Sequence, residues 1–314
     1  MKQKIFKLTL KDFARFIGTI VNDIPKDCRE LIAKFDSRCR KLNQAERDKI
    51  ILNILKRIDS PDLSISGDKN KKNWEKGWKE NLQNFIKSNY DINELVPKYV
   101  KSDYPIRLYS DYVMPFDAKF ELHWCNIFRQ WLFKKYFKDV EHIYDFGCGT
   151  GFNLIKLAKI FPQKKLYGLD WVKPSMDILK LLAKKHDYNI KGYLFDMFAP
   201  DETFDIQKNS GILAWGALEQ MGHNFEPFLQ FILKKSPRIF VLVNTIVELY
   251  DESNLVDYLA IKFNKRRNYL EEFLPRLRQL ETEGKIEILK IQKVPFGTLY
   301  LDGFSFIVWR SKKV

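Results

Sequence analysis

The sequence has few cysteines and histidines, four of each, and lacks a long uncharged apolar run. The cysteines, Cys28, Cys39, Cys125 and Cys148, form no C-x-x-C pair, which argues against a secreted disulfide framework. No metal-ligand spacing is present, so we expect no metal site. Because no stretch of ~18 uncharged apolar residues occurs, we expect no transmembrane helix. The basic first residues lack an apolar signal segment, so we expect a globular, cytoplasmic protein.

Positive charge is in excess, and most of it lies in the first part of the chain. The formal net charge is +14. Residues 1–140 hold 29 Lys and Arg against 19 Asp and Glu, whereas residues 141–314 hold 25 against 21. A basic surface can attract nucleic acid, an anionic membrane or acidic small molecules. Because charges of both signs are interleaved, solvated helix surfaces in a lysine-rich composition are the alternative explanation.

Residues 141–151 read EHIYDFGCGTG, an apolar strand-like run that ends in Asp145 and three alternating glycines. Glycine allows a sharp turn and lets a ligand approach the backbone closely. A helical pattern over 152–161 follows at once, so the loop would lie at a helix N-terminus with free N–H groups. This segment therefore predicts a nucleotide-sized binding site.

The spacing of these glycines separates possible cofactors. The dinucleotide pattern G-x-G-x-x-G and the phosphate loop GxxxxGK[ST] are both absent. The pattern here is Asp-x-Gly-x-Gly-x-Gly, and a carboxylate before the turn suits a ligand that carries an ammonium group rather than a polyphosphate. These residues resemble motif I of the class I (Rossmann-like) S-adenosylmethionine-dependent methyltransferases.

Two further acids follow the next strand-like runs. The run 165–169 is followed by Asp170. In βαβ nucleotide sites, a carboxylate ~20 residues beyond a glycine loop accepts hydrogen bonds from the ribose hydroxyls. Residues 190–195 end in Asp196, and in the resembling family the acid at this place accepts from the adenine amino group. Three strand ends closed by acids indicate one site, although turn glycines and solvated acids are the alternative interpretation.

The resemblance implies S-adenosyl-L-methionine as the cofactor of a methyltransferase. The residues expected to bind it are Asp145, Phe146, Gly147, Cys148, Gly149, Gly151, Asp170, Trp171, Asp196, Met197, Trp215 and Tyr112.

Alternating strand and helix patterns after residue 140 predict an α/β fold with a parallel sheet and helices on both faces. The strands are expected at 141–146, 165–169, 190–195, 209–214 and 238–243, and the helices at 152–161, 174–186 and 224–234. Strand-like runs at 285–294 and 304–310 resemble the antiparallel terminal pair of the family's seven-stranded, Rossmann-like sheet. An amphipathic stretch, 254–283, precedes that pair.

Helical patterns dominate the earlier part of the chain, at 8–21, 29–35, 45–58, 73–88 and 117–137. The polar stretch 60–73 is predicted to be a loop or linker. We therefore expect a helical N-terminal region over 1–116, which would shape the acceptor pocket or a lid, and a methyltransferase domain over 117–314.

The segment after the fourth strand, AWGALEQMGHN, contains the candidate catalytic residues Glu219 and His223. It lacks the Asp/Asn-Pro-Pro-Tyr/Phe tetrad of the family's base-methylating members and resembles the Leu-Glu-His segment of small-molecule members, with Gln220 in place of histidine. A hydroxyl acceptor must lose its proton, and an imidazole titrates near neutral pH. Alternatively, His223 packs or caps the following helix and Glu219 is a solvated turn acid.

Aromatic residues outside the strand ends are further candidates. The segment 104–120 could form a lid, with Tyr109 or Tyr112 near the methionine end of the cofactor, although aromatic packing is the alternative. Trp74 and Trp78, four residues apart on one helix, could stack on a sugar or a base or could pack in the core.

A basic cluster between the fifth and sixth strands could hold a phosphate or carboxylate of the acceptor, or could be a solvated helix face. Its members are Lys262, Lys265, Arg266 and Arg267. The function we expect is O-methylation of a small-molecule or sugar/glycan-type acceptor. An RNA- or protein-directed methyltransferase that uses the basic N-terminal region is the alternative, and a non-catalytic methyltransferase-like binding module is a third possibility. Nucleic acid is disfavoured because the tetrad is absent.

Overall fold

Two β-sheets organise the chain in a computed structural model that describes residues 4–100 and 103–312. The helices are α1 Leu10–Phe16, α2 Lys26–Lys34, α3 Gln44–Asp59, α4 Lys71–Lys87, α5 Phe120–Tyr136, α6 Phe152–Ile160, α7 Lys173–His186, α8 Glu226–Lys235, α9 Leu255–Arg267 and α10 Phe273–Thr282. The strands are β1 Ile5–Lys7, β2 Arg38–Lys41, β3 Ile106–Leu108, β4 Asp111–Pro115, β5 His142–Phe146, β6 Lys165–Asp170, β7 Ile190–Leu194, β8 Ser210–Trp215, β9 Ile239–Val243, β10 Ile286–Gln292, β11 Phe296–Gly297 and β12 Phe306–Ser311.

The larger sheet has seven strands in the order β10-β12-β9-β8-β5-β6-β7. Strands β5 to β9 run parallel to one another, whereas β12 is antiparallel to both β9 and β10. The predicted seven-stranded α/β sheet with antiparallel terminal strands is therefore confirmed. The chain proceeds from β5 to β6 on one side and returns to β8 on the other, and such a switch point leaves a crevice at the carboxyl ends of the strands.

Helices cover both faces of this sheet, as predicted, because successive strand residues point to opposite faces. Ile143 packs with Leu154 of α6 and Leu179 of α7 in one core. The next residue, Tyr144, belongs to the opposite core, which contains Phe228 of α8. Both faces are thus apolar, which explains why the central strands read as continuous hydrophobic runs.

The smaller sheet, in the order β1-β2-β4-β3-β11, lies mostly in the N-terminal region. The helices expected before residue 140 are present as α1 to α5, but the short strands β1 to β4 were not predicted from the sequence. Since β11 comes from the segment after β10 and pairs with β3, this sheet joins distant parts of the chain. The division at residues 116 and 117 stays a prediction. Within the two described ranges, no helix has the length and apolar character needed to cross a bilayer.

A buried ion-pair network fastens α9 and the segment 298–304 to the smaller sheet. Arg107 of β3 contacts Asp257 of α9 at 2.8 Å and Asp302 at 3.0 Å, and none of the three side chains is appreciably exposed. The same arginine donates to the backbone carbonyl of Val256 at 2.9 Å. The network therefore holds in place two segments that line the cavity described below.

Candidate active site

A cavity of about 690 Å³ lies at the carboxyl ends of the parallel strands. It is bounded by the loops after β5, β6, β7 and β8, by α4, by the end of α9 and by the segment 298–304. The predicted cofactor residues that line it are Gly147, Cys148, Gly149, Asp170, Trp171, Met197 and Trp215. The fold thus brings together side chains from separate strand ends.

The glycine loop needs glycine for both conformation and space. Gly147, Gly149 and Gly151 have φ values of 72°, 53° and 75°, in the left-handed region that strains other residues. A Cβ at Gly147 would lie 2.3 Å from that of Ala217, and one at Gly149 would lie 2.9 Å from the Trp78 ring. Gly151 is the N-cap of α6, so the loop presents backbone N–H groups at a helix N-terminus.

Asp170, at the end of β6, lies directly under this loop. Its carboxylate accepts from the N–H of Gly149 at 2.9 Å and from the N–H of Val172 at 3.3 Å. Burial raises the pKa of Asp170 to about 6, against the effect of these hydrogen bonds. Asp170 lies on the cavity wall, and its predicted acceptance from ribose hydroxyls stays a prediction.

Asp145, at the end of β5, is a buried acid without a hydrogen-bond partner. The residue is 1% exposed, and neither carboxyl oxygen has a partner in residues 4–100 and 103–312. Burial raises the pKa of Asp145 to about 8, although the side chain of Asn153 interacts with the carboxyl and lowers that pKa. Asp145 is not part of the cavity lining, so its expected contact with the cofactor stays a prediction.

Arg129 supplies the opposite charge near Asp145, and sequence reasoning missed it. The residue is 2% exposed, its Nη1 donates to the carbonyl of Phe152 at 2.7 Å, and its Nε lacks a partner within the described ranges. The positive charge of Arg129 lowers the pKa of Asp145. No ion pair within 4.0 Å joins the two side chains in the described residues. A charged residue within the apolar run of α5 was the available signal.

Flat and apolar side chains line the part of the cavity after β6 and β7. The rings of Trp171 and Phe198 stack, with centroids 5.5 Å apart and planes inclined by 21°. Met197 lines the cavity beside them. Asp196 instead accepts from the N–H of Phe198 at 2.9 Å and is not part of the lining, so its expected contact with adenine stays a prediction.

The strand order identifies the fold. A seven-stranded sheet with β10 and β12 at one edge, and a glycine loop after the central strand β5, is the arrangement of class I S-adenosylmethionine-dependent methyltransferases. The chain has the class I methyltransferase fold. The loops after β8 and β9 lie at the same edge of the sheet as the glycine loop, and residues of both line the cavity.

His223 does not reach the cavity of this methyltransferase fold. Its side chain is 61% exposed, and Nε2 lies 3.8 Å from a carboxyl oxygen of Glu271. The preceding Gly222 has a φ of 56°, and His223 is absent from the cavity lining. The prediction that His223 faces the acceptor is therefore corrected: the residue belongs to an exposed turn.

Glu219 is the predicted catalytic residue that does line the cavity. Burial of its carboxyl raises the pKa of Glu219 to about 7. Gln220 donates to one oxygen at 3.3 Å, and Asn244, with its amide oriented to satisfy both groups, donates to the other at 3.3 Å and accepts from the N–H of Glu219. The carboxyl is therefore held by neighbours from two strand ends.

The two tyrosines proposed for a lid lie elsewhere. Tyr112 is 2% exposed and donates to the carbonyl of Leu299 at 3.2 Å, outside the cavity lining. Tyr109 donates to Asp12 at 2.8 Å on the surface. The expectation that Tyr112 or Tyr109 contacts the cofactor is therefore corrected: Tyr112 packs in the protein interior, and Tyr109 contacts Asp12. The tyrosines that line the cavity are Tyr99, Tyr104, Tyr269 and Tyr300, and Tyr104 alone belongs to the segment 104–120.

Two other candidate groups contribute to the lining. Trp74 and Trp78 of α4 stack at 5.3 Å and both line the cavity, so α4 covers the glycine loop. Of the basic cluster, Arg267 lines the cavity, whereas Lys262 and Lys265 are exposed to solvent.

No protein-family model and no curated protein matches the chain. Among solved structures it is similar to a SAM-dependent methyltransferase from Aquifex aeolicus, with 18% identity, 58% of this chain and 88% of that chain covered, and a TM-score of 0.39. It is also similar to a pyocyanin biosynthetic protein, with 11% identity, 62% and 57% covered, and a TM-score of 0.46. It is similar as well to human N-acetylserotonin methyltransferase in complex with SAM, with 13% identity, 60% of this chain and 56% of that chain covered, and a TM-score of 0.39. The chain spans less than two thirds of the last two proteins.

Proposed function

We propose that this protein is an S-adenosylmethionine-dependent methyltransferase that methylates a hydroxyl group of a small molecule. The observation that carries the proposal is a single cavity lined by the glycine loop and Asp170 on one side and by Glu219 on the other. The glycine loop and a candidate proton acceptor thus share one cavity.

The cofactor half fits the chemical groups of S-adenosylmethionine. Asp170 would accept from the ribose hydroxyls, and the faces of Trp171 and Phe198 would pack against the purine. Asp145 and Arg129 are buried and lie outside the cavity lining. The Asp145 carboxyl would attract the ammonium group, and the Arg129 guanidinium, whose Nε lacks a partner in the described ranges, would attract the carboxylate of the same amino acid moiety. When bound, the cofactor supplies a methyl group activated by a sulfonium.

Glu219 is the residue that we assign to the acceptor proton. A general base works best when its pKa lies near the operating pH, and burial raises that of Glu219 to about 7. Gln220 and Asn244 orient the carboxyl from either side. Glu219 would therefore accept the hydroxyl proton while the acceptor oxygen is aligned for transfer.

The enclosure favours a small acceptor. A cavity of about 690 Å³ is in the size range of sites for cofactors and small molecules. Trp78 of α4 lies against Gly149 and is itself 8% exposed, so the glycine loop is covered from outside. Water exclusion of this kind strengthens the electrostatic contacts inside the site.

Calorimetry on the Asp170→Ala variant tests the cofactor assignment. We expect the affinity for S-adenosylmethionine to fall by about tenfold or more, because a charged hydrogen-bond acceptor is lost. Asp177→Ala is the matched control, since Asp177 lies on the outer face of α7 and pairs with Lys173. Unchanged binding by Asp170→Ala would refute the proposed function.

A further inference from the structure

The acceptor half of the cavity is separated from the cofactor half by the order of the strands. Strands β6 and β7 lie on one side of β5, and β8 and β9 lie on the other. The lining residues Glu219, Gln220 and Thr245 follow β8 and β9. Their surroundings therefore describe the molecule that receives the methyl group.

Aromatic rings form the walls of this half. Phe263 and Tyr300 stack with centroids 4.5 Å apart and planes inclined by 15°, and both line the cavity. Trp215 and Phe304 meet edge to face at 6.1 Å. Flat walls of this kind pack well against a planar ring. A saturated sugar would instead need several polar partners for its hydroxyls.

Arg267, at the end of α9, brings a positive charge to the same wall. Its Nη1 donates to Ser64 at 2.8 Å, and its backbone carbonyl accepts from the N–H of Ser66 at 2.8 Å. The polar segment between α3 and α4 thus anchors this arginine. Its Nε is buried without a hydrogen-bond partner in the described ranges.

Arg267 and Glu219 are near each other without forming a direct ion pair. The positive charge of Arg267 lowers the pKa of the Glu219 carboxyl. No ion pair within 4.0 Å joins the two side chains in the part of the chain that the structure describes. Tyr269 lies close to both side chains. A ligand that carries an anionic group and a hydroxyl could therefore satisfy the arginine and still present its proton to Glu219.

We propose that the acceptor is an aromatic hydroxy acid, whose ring packs between the aromatic walls, whose carboxylate pairs with Arg267 and whose hydroxyl faces Glu219. The inference rests on the proposed function and narrows it. In the reaction, the O–H bond breaks and its proton passes to Glu219. The oxygen forms a bond to the methyl carbon as the S–C bond of the donor breaks. The products are a methyl ether and S-adenosylhomocysteine.

Equilibrium binding on the full chain tests the inference. The protein is first saturated with S-adenosylhomocysteine, and then 2-, 3- and 4-hydroxybenzoate, phenol and methyl glucoside are titrated by calorimetry. We expect at least one hydroxybenzoate to bind about tenfold or more tightly than phenol, because an arginine–carboxylate pair is charge-assisted. Methyl glucoside should bind more weakly than phenol.

The Arg267→Met variant assigns this preference to the arginine. It should lose the tenfold advantage of the acid while it keeps its affinities for phenol and S-adenosylhomocysteine, and Lys265→Met, an exposed position on the same helix, should behave as the unaltered protein. If Arg267→Met fails to fold, Arg267→Lys should show a smaller preference for the acid.

Equal binding of acid and phenol by the unaltered protein would overturn the inference while leaving the methyltransferase assignment intact. So would a preference for the acid that survives in Arg267→Met. Failure to bind S-adenosylhomocysteine at all would instead refute the proposed function.

Discussion

Replacing Asp145 by Asn should stabilise the free protein and weaken its cofactor binding. The carboxyl is buried and has no hydrogen bond within 3.5 Å in residues 4–100 and 103–312, so its ionisation costs free energy in the absence of a ligand. Its pKa rises from 3.8 to about 8 on folding. The folded protein therefore retains a proton that the unfolded chain loses above pH ~4, and stability falls as the pH rises towards 8.

The size of this effect follows from the shift in pKa. Each pH unit between the two pKa values of Asp145 costs about 1.4 kcal/mol. Between pH 5 and pH 8, the unaltered protein should therefore lose up to about 4 kcal/mol from this group. The amide of Asp145→Asn does not titrate, so the advantage of the variant should be largest at pH 8.

Chemical denaturation at pH 5 and pH 8 measures the difference in the free energy of unfolding between the two proteins. Calorimetry should show a roughly tenfold or greater loss of S-adenosylmethionine affinity, because the partner of the ammonium group has lost its charge. Asp177→Asn, at an exposed site, is the control. A difference in unfolding free energy that does not change with pH would refute the reasoning.

Two further outcomes concern catalysis and the acceptor. Glu219→Gln should bind the cofactor normally but lower kcat about 100-fold. The rise of kcat/KM through pH about 7 should disappear in this variant. His223→Ala, at the exposed turn, should leave turnover unaltered, and a large loss of turnover in His223→Ala with none in Glu219→Gln would reverse the assignment. Between 50 and 200 mM salt, KM for the acceptor should change less than about threefold, whereas a nucleic-acid acceptor would show a loss of ~10³-fold; such a loss would favour the RNA-directed alternative.

The part of the cavity around the glycine loop was predictable because its signals are local. The glycine loop and Asp170 lie within one strand–helix–strand unit, and neighbouring strands of a parallel sheet place their carboxyl ends together. The strand and helix bounds after residue 140 agree with the sequence patterns to within a few residues. Periodicity is informative for such elements because each pattern lies within one short segment of the chain.

The acceptor half was less predictable because its contacts join distant parts of the chain. Ser64 meets Arg267 across 203 positions, and Tyr112 meets Leu299 across 187. The pairing of β3 with β11 is equally remote. No local pattern encodes such contacts, so the sequence could not tell Arg267 from its exposed neighbours or keep Tyr112 out of the cofactor site.

The sequence by itself determined the central sheet and the glycine loop, because backbone conformation and hydrophobic period are properties of short segments. Only the tertiary structure decided which polar groups share the cavity. It left His223 in solvent, buried Asp145 beneath the glycine loop, and brought Glu219 and Arg267 to one wall. Burial and long-range packing set these positions, and they also raise the pKa values on which the proposed chemistry depends.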